Sequence, residues 1–179
     1  MKAIVQSGYG SPDVLELREI EKPVVDDDGV LVRVRAASVN ALDWHLMRGV
    51  PSVIRLTTGL RRPKIPVPGV DVAGHVEAVG RNVTHFQPGD EVFGMRSGAF
   101  AEYVCGKERN FVPKPVGLTF EQAAAVPVAA ETALQGLRDK GQIRPGQKVL
   151  INGASGGCGY IRRAGRQVVR SGRDWRVQP

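Results

Sequence analysis

The stretch Val30-Leu31-Val32-Arg33-Val34-Arg35-Ala36 places Val30, Val32, Val34 and Ala36 on one side and both arginines on the other. A period of two with one apolar face is a half-buried β-strand, and such a strand needs neighbours to take its hydrogen bonds. The sequence around it supplies them as short pieces closed by Pro, Gly or Asp. Residues 3–5, 15–20, 70–79, 91–93 and 99–104 read as strands. Gly74 falls inside one of them, which marks a bulge or a close backbone approach. Pro88-Gly89-Asp90 is a turn before the strand at 91–93. A short helix is expected over 42–47, ended by Gly49, and 51–68 reads as irregular and basic, with Arg55, Arg61, Arg62 and Lys64. Short strands at regular spacing point to a small barrel or sandwich.

The pattern changes near Gly117. Thr119 and Gln122 stand at capping-box spacing before an alanine-rich helix. Pro127 should break or kink that helix, and a second helical stretch runs over 129–138. Lys148-Val149-Leu150-Ile151-Asn152 reads as a strand that enters Gly153-Ala154-Ser155-Gly156-Gly157-Cys158-Gly159. A strand running into a glycine-rich loop opens a dinucleotide-binding unit, because glycines let the backbone approach a pyrophosphate at a helix N-terminus. The spacing here is G-x-x-G-x-x-G, and any strand-loop-helix turn also uses glycines, so the residues alone leave both readings open. Residues 160–170 make a poor Rossmann helix, with no clean apolar stripe and with Gly165 among them. No second strand comes after them to carry a ribose-reading residue at its end.

Composition narrows the function. The chain has 179 residues and a formal charge of +7. Six arginines and one acid lie in 160–179, leaving nineteen basic and seventeen acidic residues elsewhere. A nucleic-acid binder spreads its basic residues over a face, so that class is disfavoured. No apolar run is long enough to span a membrane, and the first ten residues lack a secretory apolar core, so a cytoplasmic protein is expected. Two cysteines, Cys105 and Cys158, are too few for a disulfide framework or a four-cysteine zinc site.

Several motifs in order carry a family resemblance. They are Pro68-Gly69-Val70-Asp71-Val72-Ala73-Gly74-His75-Val76-Glu77-Ala78-Val79-Gly80, Pro88-Gly89-Asp90-Glu91-Val92-Phe93-Gly94, Gly98-Ala99-Phe100-Ala101-Glu102-Tyr103-Val104, Ala123-Ala124-Ala125-Val126-Pro127, and 149–157. The chain resembles the zinc-independent, quinone-oxidoreductase-like branch of the medium-chain dehydrogenase/reductase superfamily over residues 1–159. The resemblance implies a mainly β protein with an α/β remnant: a GroES-like β-barrel substrate domain over 1–117, then an incomplete Rossmann domain over 118–159. Residues 160–179 form a basic tail outside the resemblance. It further implies hydride transfer from NADPH to a quinone or an enone in the cleft between the domains, and leaves oligomeric state open.

The resemblance also locates site residues. Zinc-dependent relatives place a cysteine at Asn40 and Gly-His-Glu at Gly69-Val70-Asp71. An amide and a valine cannot stand in for thiolate and imidazole, so no zinc is expected. Asn40 and His45 are the expected catalytic positions, Asn40 to orient substrate or cofactor and His45 to line the pocket. A turn asparagine and a surface histidine are the plainer alternatives. Asp43 is expected to serve the helix N-terminus. Thr132 is expected at the nicotinamide end, and Gly153, Ser155, Gly156, Gly157, Cys158 and Gly159 at the pyrophosphate. Cys105 is expected to pack rather than react, because no motif sets an activating group beside it.

The tail has a reading in the genetic code. Synonymous codons for Gly159 to Arg170 exist that, read one base later, spell GTFAVQVVKSFG, an amphipathic segment like the helix relatives carry there. A frame shift at the start of the Rossmann domain is therefore the expectation, and with it no NADPH oxidation by this chain alone. Two other readings are a non-catalytic barrel whose arginine arm binds nucleic acid or an acidic partner, and one half of a split reductase.

Overall fold

In a computed structural model of the protein, residues 1–144 and 147–150 are described. They divide into two compact units, Met1–Pro127 and the part that begins at Val128.

The first unit is mainly β. Strands β1 (Lys2–Gln6) and β2 (Leu15–Glu19) make an antiparallel ribbon. Strands β3 (Gly29–Ala37), β4 (Asp71–Val79), β5 (Glu91–Met95), β6 (Tyr103–Lys107) and β7 (Phe111–Pro113) make a five-stranded antiparallel sheet in the order β6-β3-β4-β5-β7. A bridge between Ala3 and Ala101 ties the ribbon to the sheet's surroundings. The alternation read from 30–36 holds to Val34: Val30, Val32, Val72, Val76, Phe86, Val92, Val104 and Phe111 form one buried cluster with Val34 packed on it, whereas Ala36, past the register slip, packs with Ala73 instead. Each valine so buried contributes about 1.5–3 kcal/mol. The opposite face of β4 supplies Ala73, on which Ala123 and Ala124 pack.

Strand β3 bends around β4. The register slips at Leu31/Val32 and at Val34/Ala36, leaving Arg35 as an extra residue. Gly74 sits at the second slip. A methyl group there would lie 2.1 Å from the Arg33 carbonyl oxygen, so the close approach expected from the sequence is real.

Between β3 and β4 lie α1 (Ala41–Arg48), a 3-10 turn (Ser52–Ile54) and α2 (Arg55–Thr58). Gly49 caps α1 in the left-handed region at φ 62°, as the sequence implied. The expectation that 51–68 is wholly irregular is corrected by α2, where Thr57 and Thr58 hydroxyls donate to the Ile54 carbonyl. Helix α3 (Phe120–Ala124) starts at Thr119, whose hydroxyl accepts from the Gln122 amide while Gln122 accepts from the Thr119 amide.

Other strand expectations shift. The strand read at 99–104 lies instead at Tyr103–Lys107. The Gly98, Ala99 and Phe100 amides donate to Gly69 and Pro68 carbonyls, a loop-to-loop tie that occupies the donors a strand needs. Strand β7 is too short to show alternation and was not foreseen.

Helix α4 (Pro127–Leu134) starts at the last residue of the first unit and runs into a wider π-type turn over Gln135–Lys140. Pro127 opens α4, a position where its missing N–H costs nothing. The expected strand at 148–152 is not observed in its described part: Lys148–Leu150 is irregular, and none of the seven strands among the described residues pairs with it. The glycine loop 153–159 and the tail 160–179 lie outside the described residues.

Candidate functional site

The junction of β3, α1 and β4 gathers the polar side chains with the most unusual surroundings. Asp71 opens β4 and is fully buried. Burying a carboxylate is costly unless donors surround it. Two side chains from the β3–α1 connection supply them. Asn40 Nδ2 donates to Asp71 Oδ2 at 3.1 Å, and Ser38 Oγ donates to the same oxygen at 3.2 Å. Asn40 Nδ2 also reaches Ser38 Oγ at 3.1 Å. The acceptor-only carboxylate fixes the amide's orientation: nitrogen toward Asp71, oxygen away from it. The amide nitrogen is thus engaged within the protein.

Asn40 is also the residue that precedes α1. Its backbone N–H donates to Asp43 Oδ2 at 2.7 Å, the return half of a capping box. Asp43 therefore serves the helix N-terminus, as the sequence implied. Its other oxygen is unusual. Asp43 is only 5 % exposed, and its Oδ1 is buried with no hydrogen-bond partner. Desolvation raises the Asp43 carboxyl above the ordinary aspartate range, against the lowering effect of the Asn40 hydrogen bonds.

His45 lies one turn along α1, half-buried. Its Nδ1 donates to the Val50 carbonyl at 2.9 Å, since a carbonyl oxygen only accepts. The ring meets Trp44 edge-on at 4.9 Å. Asn40 and His45 thus share one helix start but serve different contacts. Neither lines the cavity of about 200 Å³ that lies behind α1, whereas Asp43 and Leu46 do.

The basic loop residues are partly structural. Arg55 Nε donates to the Gly49 carbonyl, and its guanidinium lies 4.7 Å over the Tyr9 ring. Cys105 is half-buried, and burial pushes its thiol up, away from reactivity. Thr132 lies exposed on α4 in the second unit. Gly153, Ser155, Gly156, Gly157, Cys158 and Gly159 lie outside the described residues. Among the described residues, no three His, Cys, Asp or Glu side chains gather as a metal cluster would. No helix among them is long and apolar enough to cross a membrane.

Sequence reasoning did not foresee the partnership of Asn40 with Asp71, because no spacing rule links a loop to a distant strand. The signal for Asp43 was present in Asn40-x-x-Asp43, the spacing of a capping box.

Comparison with known proteins places this arrangement. The family model for the alcohol dehydrogenase GroES-like domain matches residues 26–116. The quinone oxidoreductase of Lama guanicoe is 37% identical over 175 residues, covering 96% of this chain and 50% of that protein. The quinone oxidoreductase structure from Coxiella burnetii superposes with a TM-score of 0.82 at 32% identity, over 93% of this chain and 53% of that one. The Escherichia coli quinone oxidoreductase complexed with NADPH gives a TM-score of 0.82 at 26% identity, over 94% of this chain and 50% of that one. The chain thus spans about half the length of the curated relatives it matches.

Proposed function

From a chain that belongs to the alcohol dehydrogenase GroES-like domain family, in its quinone-oxidoreductase-like branch, we propose the substrate-side part of a reductase that passes a hydride from NADPH to a quinone or an enone. In the net reaction a quinone, NADPH and a proton become a hydroquinone and NADP⁺. The nicotinamide supplies the hydride when bound, and the protein supplies position and polarity. Thr132 and the loop Gly153, Ser155, Gly156, Gly157, Cys158 and Gly159 are the residues assigned to hold that cofactor, on sequence alone.

The observation that carries the reading on this side is the anchoring of Asn40. Its amide nitrogen is held by Asp71 and Ser38 while the residue also caps α1, so the side chain is fixed in place at the helix start. Asn40 then acts as a fixed polar side chain against which a bound molecule is positioned. His45 holds its Nδ1 proton against Val50 and keeps Nε2 for the substrate side. The reading is zinc-free on the donor chemistry: an amide tied to a carboxylate and an apolar Val70 offer neither thiolate nor imidazole.

The test is a chemical-shift titration of the chain with tetramethylbenzoquinone, and separately with NADPH. Quinone shifts are expected on Asn40 and His45 and are expected to weaken in Asn40→Ala. Absence of any saturable shift, or identical shifts in Asn40→Ala, would refute the site. Steady NADPH oxidation by this chain with the quinone would show that its own residues suffice for turnover, which is not expected.

A further inference from the structure

The ribbon of β1 and β2 leaves one edge open. Ile20 and Met1 exchange hydrogen bonds, Met1 through its terminal amine, and the Ser7 N–H donates to the Val14 carbonyl. That parity turns the backbone groups of Glu16 and Arg18 toward β1, and those of Leu15, Leu17 and Glu19 away from it. On the far side of β1 the outward groups are taken: the Ile4 and Gln6 N–H groups donate to the Phe100 and Pro66 carbonyls. On β2 the Leu15 N–H donates to the Pro12 carbonyl. Among the described residues, no strand but β1 lies beside β2, and no such bond takes the outward groups of Leu17 and Glu19. The Leu17 side chain is 67 % exposed. The edges of the larger sheet are blunted instead: β7 has three residues and ends in Pro113, and on β6 the Arg96 side chain takes the Cys105 carbonyl.

The charges on β2 decide what fits this edge. Glu16 and Arg18 flank Leu17 and share the face opposite to it. Laid antiparallel against a second copy about Leu17, the strand sets Glu16 opposite the partner's Arg18, and Arg18 opposite the partner's Glu16. A slip of two residues sets glutamate against glutamate or arginine against arginine, and a parallel strand does both. A slip of one turns outward backbone groups against inward ones. The sequence of β2 is therefore complementary to itself in one register. Arg18 holds its own Glu16 through Oε2, at 2.6 Å, and Oε1 is the oxygen for the partner's guanidinium.

We propose that β2 pairs antiparallel with β2 of a second copy of this chain, about a two-fold axis at Leu17, so that two ribbons become one four-stranded sheet. The Leu17 N–H donates to the partner's Leu17 carbonyl and accepts the reverse bond, and the Glu19 N–H donates to the partner's Leu15 carbonyl, again in both directions. The two Leu17 side chains meet across the axis, with a Glu16–Arg18 pair on either side of it. A four-stranded sheet is more stable than either two-stranded ribbon alone. The contact is small, so the dimer is weak. It involves neither cofactor nor substrate, and failure of the reductase reading leaves it standing.

Sedimentation equilibrium of the full chain, from about 10 µM to about 1 mM, tests it. The parent should show a reversible monomer–dimer equilibrium. Arg18→Glu opposes acid to acid and Glu16→Arg opposes base to base, so each alone should dimerise at least about tenfold more weakly. Mixing the two single variants should restore association, because one then brings two acids and the other two bases to the facing positions. The double variant Glu16→Arg with Arg18→Glu should dimerise as the parent does. Both side chains are 52 % exposed, so the fold, checked by circular dichroism, should be kept. A parent that stays monomeric to about 1 mM overturns the proposal. So does a dimer that the single variants leave unchanged, which assigns association to another surface such as the basic tail. Single variants that stay apart when mixed overturn it as well. If a single variant does not fold, a folded double variant that fails to dimerise overturns it instead.

Discussion

Asn40 Nδ2 and Asp71 Oδ2 lie 3.1 Å apart across 31 residues of sequence, and this bond fastens the start of α1 to the start of β4. Asp71 is fully buried, so each donor it has is needed. Asn40→Ala removes one of them and should cost about 1–3 kcal/mol in urea unfolding. Asn40→Asp sets a second carboxylate against Asp71 and should cost more than alanine does. The reverse order would mean that the amide hydrogen bond contributes little.

Gly74 tolerates no side chain. A methyl group would stand 2.1 Å from the Arg33 carbonyl oxygen, and backbone cannot move aside as a flexible side chain can. Gly74→Ala should destabilise the first unit by about 3 kcal/mol, the upper range for overpacking. Denaturant unfolding followed by tryptophan fluorescence measures it. A loss within experimental error of zero would show that the β3–β4 slip relaxes freely.

The Thr119 cap is an independent, smaller test. Its hydroxyl accepts from the Gln122 amide at 3.2 Å. Thr119→Ala should lower stability by about 1 kcal/mol, and Thr119→Ser should restore most of it. Equal effects of the two substitutions would assign the loss to the methyl group instead.

Asp43 gives a pH-dependent signature. Desolvation raises its carboxyl in the folded state, so the native protein holds that proton to higher pH than the unfolded chain does. Between those two values the folded state binds more protons, and stability falls as pH rises. The contribution is fully present below the unfolded value and is lost through the raised folded one. Asp43→Asn should remove this fall, so the variant gains on the parent from acid toward neutral pH. Lys64, exposed on the same cavity wall, is the other charged group there, and Lys64→Met controls for it. Parallel stability profiles for parent and Asp43→Asn would refute the assignment.

The first unit was largely legible because its determinants are local. Alternation at Val30 to Val34, glycine at 49 and the Thr119–Gln122 spacing each fix an element from a few residues. The misplacement of the strand at 99–104 has a long-range cause: amides of Gly98, Ala99 and Phe100 are taken by carbonyls about thirty residues earlier. The candidate site divides the same way. Asp43's service to the helix start follows from spacing. The embrace of Asp71 by Ser38 and Asn40 does not, because it arises only when β3 and β4 pair.

Gly69 adopts φ 89° directly beneath the Phe100 ring, and a methyl group there would meet that ring at 2.5 Å. The two positions are therefore not free to drift separately as sequences diverge. A side chain can enter at 69 only in a lineage that has already given up the aromatic at 100, and even then the backbone must leave its left-handed shape. Descendants of this fold should keep glycine at the first position long after the barrel's valines have exchanged for other aliphatics.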